Sequence, residues 1–510
     1  MDIPALAVLI LLPAAGAGVV LAVPRTRTNL VLPVAVVASL VPLAFAAGLL
    51  FQFETGTAGF QFTEHVVWYQ PWGVGWNVGV DGISILLVVL TTFLMPIALV
   101  ASAKVEKQIR WYAASMLFLE TGLLGVFLSL DLLLFFVFWE VMLVPMYFII
   151  GVWGGERRIY AAVKFFLYTA FGSALMLAGI LWLAFLAGDG AGHITFDFTD
   201  LVGMDIARST QFWLFGAFAL SFAIKVPLFP LHTWLPDAHV EAPTAGSVLL
   251  AGVLLKLGTY GFVRFNLTLF PQASVDLVPV LATLAVIGIL YGAAVAIMQP
   301  DLKKLVAYSS VSHLGFVMLG VFALTSQGLQ GGVIQMVNHG LTTGALFLLV
   351  GMVYERRHTR RIADYGGIAK VMPIYAAFFL FMAFASIGLP GLNGFVGEFM
   401  VLIGSWLSLP VFAVLAAFGV VLAAVYMLWA YERVFTGPLD KPENRLLRDL
   451  NGREIAILAP LAAAILFLGI YPKPALDRIE PSVEAILHRI EAVTDYQVPA
   501  HGQINEVAGD

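Results

Sequence analysis

The chain has 510 residues, of which 60% are apolar and 12% charged, and its mean hydropathy is +0.93. Soluble domains are roughly half apolar and about a quarter charged, so a water-soluble globular protein is excluded. The formal net charge of −5 comes without a long basic run, which removes nucleic acid as a partner, and the lack of cysteine removes thiolate-ligated clusters, Cys zinc sites, disulfides and thiol chemistry.

Apolar runs of about 20 residues, the length that crosses roughly 30 Å of hydrocarbon, predict an all-α polytopic membrane protein. Fourteen helices are expected, in chain order approximately 3–23, 30–53, 81–103, 111–130, 132–152, 160–187, 211–236, 243–266, 277–298, 305–325, 329–354, 371–408, 411–435 and 454–472. The first is too long and too little basic at its start for a cleaved signal peptide and reads as a retained span. Glu54 to Gly79, rich in Trp, Gly and Pro, reads as a surface hairpin with interfacial aromatics. Leu476 to Val493 reads as an amphipathic segment for the membrane surface or a neighbouring subunit.

Short cytoplasmic loops carry an excess of Lys and Arg. With loops assigned alternately to two sides, nineteen of these cations, among them Arg25, Arg157, Arg356 and Arg448, fall on one side. Five fall on the other: Arg208, Arg264, Lys473, Arg478 and Arg489. One missed or invented helix would scramble this split, so it supports the count and puts both termini outside the cytoplasm. The remaining three cations, Lys164, Lys225 and Lys256, lie inside spans, together with Glu120, Glu140 and Glu398. Each costs about 2.5–3.5 kcal/mol at mid-helix on insertion scales, so they are expected to face the protein interior. The plain alternative is that they are pairs locking helices together. As a set, three acids and three bases with mid-span His313 and His339 form a long titratable series.

Two spans contain helix breakers. The seventh runs Lys225-Val-Pro227-Leu-Phe-Pro230-Leu-His232, with His239 further on at its cytoplasmic end, and the twelfth runs Gly388-Leu-Pro390-Gly-Leu-Asn393-Gly-Phe-Val-Gly-Glu398. Proline lacks the backbone donor and clashes with the preceding turn, so both helices are predicted to be broken at mid-membrane. The breaks are five helices apart, an odd number, which predicts two inverted five-helix repeats, helices 4–8 and 9–13. Four units follow: 1–110, an N-terminal three-helix region with its hairpin; 111–266, the first repeat; 277–435, the second; and 436–510, the last helix and tail.

Other motifs are weak. Gly73-Val-Gly75-Trp-Asn-Val-Gly79 misses the dinucleotide spacing by one residue and lacks strand–helix context. His232 and His239 are seven residues apart with no cysteine to help, so a metal is not expected there.

The segments Phe138-Trp-Glu140-Val-Met-Leu-Val-Pro145, Lys225 to Pro243, Tyr308-Ser-Ser-Val-Ser-His313 and Gly388 to Glu398 resemble the antiporter-like membrane subunits of respiratory complex I. With the helix count, the resemblance covers essentially the whole chain. Within that family it is similar to the branch called chain M in bacterial NADH:quinone oxidoreductase and chain 4 in mitochondria. Chains L and N and the subunits of multisubunit sodium/proton antiporters tend to carry Lys where this chain has Glu398. The resemblance implies a proton-translocating subunit of the bacterial inner membrane, with FMN, iron–sulfur clusters and quinone on other subunits and no cofactor on this one. It also implies that Glu140 pairs with Lys225, Lys256 relays protons at the centre, His313 and His339 lead onward, and Glu398 serves the outlet. The implied partners are the other subunits of the complex, especially the sibling chains L and N, and lipid. The competing readings are a cation/proton antiporter subunit and a passive membrane scaffold.

Overall fold

The structure, a computed structural model, describes residues 4–191 and 193–499. In chain order, α1 (Ala5–Ala22) and α2 (Val31–Gln52) are followed by the strands β1 (Gln61–Tyr69) and β2 (Val74–Val80). Then come α3 (Ser84–Ala101), α4 (Ile109–Leu128), α5 (Leu132–Val141), α6 (Leu143–Trp153), α7 (Arg158–Ala191), α8 (Phe198–Val202), α9 (Arg208–Lys225) and α10 (Trp234–Glu241). α11 (Thr244–Leu249), α12 (Leu255–Gly261) and α13 (Leu267–Leu269) form one rod joined by π-helical turns, Leu250–Leu254 and Phe262–Asn266. The chain continues through α14 (Pro271–Asp276), α15 (Val278–Ile297), α16 (Leu302–Phe322), α17 (Ser326–Arg357), α18 (Pro373–Ser386), α19 (Asn393–Ser408), α20 (Pro410–Phe435), α21 (Pro442–Arg445), α22 (Gly452–Ile470) and α23 (Lys473–Val493).

Hydrocarbon offers the backbone no partner, so an apolar chain must satisfy its amides within helices. Helix starts are fixed by side-chain caps: Asp131 accepts from Leu134 N at 2.8 Å, Asp301 from Lys303 N at 2.8 Å, and Asn451 with Glu454 closes a capping box on α22. Among the described residues twelve helices are long and apolar enough to span a membrane. The two expected spans missing from that set are the interrupted ones. α9 stops at Lys225 and α10 starts at Trp234, with Pro227 and Pro230 between; α18 stops at Ser386 and α19 starts at Asn393, with Pro390 between.

Two further interruptions were not expected. The fifth span divides into α5 and α6 at Met142, because Pro145 has no N–H to bond the carbonyl of Val141 one turn earlier. The eighth carries the two π turns on either side of Lys256, and such turns occur frequently at functional sites.

The expected hairpin is the antiparallel pair β1–β2, in which Gln61 faces Val80 and Glu64 faces Val78. Glu64 also accepts from Leu6 N at 2.6 Å, tying the hairpin to the start of α1. Arg264, counted above as a loop cation, is instead buried inside the eighth span and pairs with Asp81 at 2.5 Å. Burial alone would raise the Asp81 carboxyl, but the Arg264 guanidinium beside it holds it below the usual range. α23 is amphipathic as expected, but its apolar face, Ile479, Val483, Ile486, Leu487 and Ile490, is buried against this chain's own α17, α13 and α14. A neighbouring subunit is not what covers it.

Candidate proton-transfer site

The interruptions and the buried charges coincide. Lys225 is the last residue of α9, fully buried, its ammonium 5.1 Å from the Trp139 ring centroid and 5.5 Å from that of Phe165. Glu140 is the next-to-last residue of α5, just before the Met142 hitch. It lies within electrostatic reach of Lys225, but no ion pair joins them, and the Lys225 ammonium instead faces Met142 Sδ at 4.0 Å. The expected Glu140–Lys225 pair is thus open, with Met142 beside the lysine.

Lys256, fully buried between the π turns, is held by the Ala251 carbonyl and approaches His339 Nδ1 at 2.6 Å. The His339 and His313 ring centroids are 5.9 Å apart. A cavity of about 10 Å³ between them is lined by His313, Gln335, Asn338, His339, Thr342 and Ser386, near the smallest space that holds one water, about 10–15 Å³. Among the described residues His339 Nε2 and Asn338 Oδ1 have no partner. His313 Nδ1 then meets Glu398 Oε1 at 2.7 Å, while its Nε2 faces Ser386 Oγ at 3.2 Å and Tyr426 OH at 3.1 Å. Gln335 Nε2 donates to Glu398 Oε1 at 3.1 Å. Gly388 has φ +75°, and a Cβ there would stand 3.2 Å from Glu398 Oε2, so the break needs a glycine to close over the carboxylate.

On the Lys303 side, His239 is fully buried and stacked on Phe347 at 4.4 Å, and among the described residues neither ring nitrogen has a partner. Both Lys256 and Lys303 act on it electrostatically. Lys303, buried at the start of α16, donates to Ala242 O at 2.7 Å. It also lines a 320 Å³ cavity with Lys104, Glu355 and Arg360. Direct contacts thus join Lys256 to His339 and His313 to Glu398, with the two imidazoles across the small cavity from each other, and Lys303 and Lys256 both lie within electrostatic reach of His239.

Three candidates lie apart. Lys164 is only partly buried and pairs with Asp237 at 2.7 Å, also donating to Thr233 O at 2.9 Å, so it ties α7 to α10. Glu120 is fully buried in α4, and among the described residues neither of its oxygens has a partner. His232 is buried in the α9–α10 turn, its ring stacked on Phe229 at 5.8 Å and edge-on to Tyr291 at 5.2 Å. Among the described residues no group of three or more His, Asp or Glu is placed to hold a metal ion.

The sequence reading missed Lys303, Met142 and the polar partners of Glu398. Gln335, Asn338, His339 and Thr342 recur at helical spacing along α17, a polar stripe in an apolar span that could have been found by periodicity.

Residues 129–423 match the family described as NADH:quinone oxidoreductase/Mrp antiporter, TM, and residues 29–131 match the one described as NADH-ubiquinone oxidoreductase chain 4, amino terminus. The chain belongs to the NADH:quinone oxidoreductase/Mrp antiporter family of integral membrane proteins. It is 47% identical to NADH-quinone oxidoreductase subunit M of Rhodobacter capsulatus over 90% of this chain and 91% of that one. It is 44% identical to NADH-ubiquinone oxidoreductase chain 4 of Marchantia polymorpha over 94% of this chain and 96% of that one. Its structure is similar to a chain of respiratory complex I from Thermus thermophilus with bound NADH, with a TM-score of 0.87 at 34% identity, covering 95% of this chain and 99% of that chain. A chain of the Mrp complex from Dietzia shares the fold, with a TM-score of 0.83 at 22% identity over 96% of this chain and 100% of that chain.

Proposed function

We infer that this chain is a proton-translocating membrane-arm subunit of NADH:quinone oxidoreductase, coupling remote NADH oxidation and quinone reduction to proton movement. The observation that carries the reading is the buried contact series Lys256–His339 and His313–Glu398, joined across a void the size of one water. A titratable ammonium, two imidazoles and a carboxylate in sequence can each take and release a proton. Protons enter from the cavity at Lys303, pass His239 to reach Lys256, and leave through His339, His313 and Glu398. Glu140 and Lys225 act on the series from the side: moving them together or apart changes the field at Lys256. Glu120, Lys164 and His232 lie outside the series and play supporting parts.

The units 111–266 and 277–435 act as inverted repeats, each with a broken helix beside a charge, flanked by 1–110 and 436–510. Flavin, iron–sulfur clusters and quinone reside on other subunits, and chains L and N are neighbours in the membrane arm. The protein lies in a bacterial cytoplasmic membrane with both termini on the outer side. A passive scaffold would tolerate a neutral isostere at the centre, which provides the test. Lys256→Met in the intact complex should leave assembly intact and abolish most NADH-driven acidification in sealed vesicles. Normal acidification at equal complex content would overturn the assignment. Sodium uptake by complexes that lack flavin would support an antiporter instead.

A further inference from the structure

At the end of the molecule that carries the hairpin, an apolar crevice of 430 Å³ opens between α2, α3, α17, α22 and α23. Leu86 and Phe93 of α3, Leu341 of α17 and Ala464 and Phe467 of α22 form its walls. From Leu86 to Phe93 it follows seven helical residues, about 10 Å at 1.5 Å per residue. Its rim is open to the hydrocarbon, since Phe51 is 86% and Phe467 52% exposed. A single charge lines it: Arg478, at the mouth. That guanidinium donates to Pro474 O at 2.6 Å and Leu50 O at 3.2 Å, both neutral acceptors, and its Nε has no acceptor. Among the described residues no carboxylate lies within ion-pair distance of it, and its neighbour Asp477 is taken up by Lys473 at 2.7 Å.

We propose that this crevice is a binding site for one anionic phospholipid, with an acyl chain between α3, α17 and α22 and the phosphate at Arg478. The layout is that of the ligand itself, a fixed positive charge at headgroup level above an apolar slot that is entered sideways from the bilayer. A cation held only by neutral carbonyls, with no counter-ion among the described residues, selects an anionic head, and the slot selects a chain over a free phosphate. The site is independent of the transport reading, since none of its residues belongs to the titratable series.

The test uses the intact complex in nanodiscs containing phosphatidylglycerol or phosphatidylcholine with a photoreactive acyl chain, followed by mapping of labelled peptides. Labelling should concentrate on the peptides holding Phe93, Leu341 and Ala464 and favour phosphatidylglycerol by about fivefold, the equivalent of roughly 1 kcal/mol for one cation near a charged headgroup. Arg478→Gln should remove the preference, Arg478→Lys should keep it, and Ala464→Trp should block labelling of the crevice by either lipid. Equal labelling by both lipids that ignores Arg478→Gln, or a cross-link from a photoreactive residue at Leu341 to a second protein chain instead of lipid, would overturn the proposal.

Discussion

Glu398→Gln separates charge from packing at the end of the series. The carboxylate makes two side-chain contacts within hydrogen-bonding distance, His313 Nδ1 at 2.7 Å and Gln335 Nε2 at 3.1 Å, both on the same oxygen. A glutamine amide oxygen can accept both, so the local fold should survive, while the ability to hold a proton is lost. A buried hydrogen bond to a charged group contributes about 1.5–3 kcal/mol, and moving one charge against 100 mV costs about 2.3 kcal/mol. The two are of one size, so making and breaking this contact is enough to drive a proton onward. Losing it should slow the transfer step about 10- to 100-fold at 1.36 kcal/mol per factor of ten. Glu398→Ala, by contrast, strands two buried donors at about 1–3 kcal/mol each and should also lower assembly. The assay is initial NADH-driven acidification of sealed membrane vesicles, normalised to complex content measured by a redox activity that does not require pumping. Wild-type acidification by Glu398→Gln would refute the relay role, and a loss that only parallels reduced assembly would reduce the contact to packing.

Glu398→Lys should retain more acidification than Glu398→Ala in the same vesicles, because an ammonium, unlike a methyl group, also carries a proton. Glu140→Gln should assemble normally and lose most coupled turnover; unchanged acidification would show that the field of Glu140 does not govern Lys256. Asp131, outside the membrane segments, is pushed up to about 6 by burial. Its folded value lies above its unfolded one, so protonation favours the folded state, and stability falls as pH rises from the unfolded value through the folded one. Between pH 5 and 7.5 the loss is about 1.4 kcal/mol. Hydrogen exchange at Gly75 and Leu134, corrected for intrinsic rates, should therefore be about tenfold less protected at the higher pH in the wild type, and nearly flat in Asp131→Asn, which keeps the helix cap.

What was legible in the sequence had an energetic signature in single residues. Pro227, Pro230 and Pro390 cannot continue a helix, so the two breaks are where they were expected. Charges are expensive in hydrocarbon, so Lys225, Lys256 and Glu398 stood out and are all buried in the protein. What was not legible depends on which helices meet. Lys164 looked like a member of the buried set, yet it lies beside Asp237 of a helix that exists only because the seventh span breaks. Arg264 was counted with the loop cations because it lies at the very end of the expected eighth span, 243–266, whereas Asp81, far away in sequence, compensates its charge inside. The π turns around Lys256 leave no residue-level mark beyond glycines, because a change of hydrogen-bond register costs little when neighbouring helices pack around it.

The geometry also locates the adjustable part of the series. Lys256–His339 and His313–Glu398 are in direct contact, so small movements there would break hydrogen bonds outright. Glu140 and Lys225 are not paired, and each sits in the last turn of a helical segment next to an interruption, Met142 for one and the Pro227–Pro230 turn for the other. Ends of segments can shift without unwinding a helix. At an effective dielectric constant near 20, two unit charges gain about 2 kcal/mol on approaching from 8 to 4 Å, which is again the work of moving one charge against about 100 mV. On the proposed function, the open pair is therefore the place where a displacement transmitted from a neighbouring subunit would be converted into a change of field on Lys256, and the closed contacts beyond it would pass the proton along.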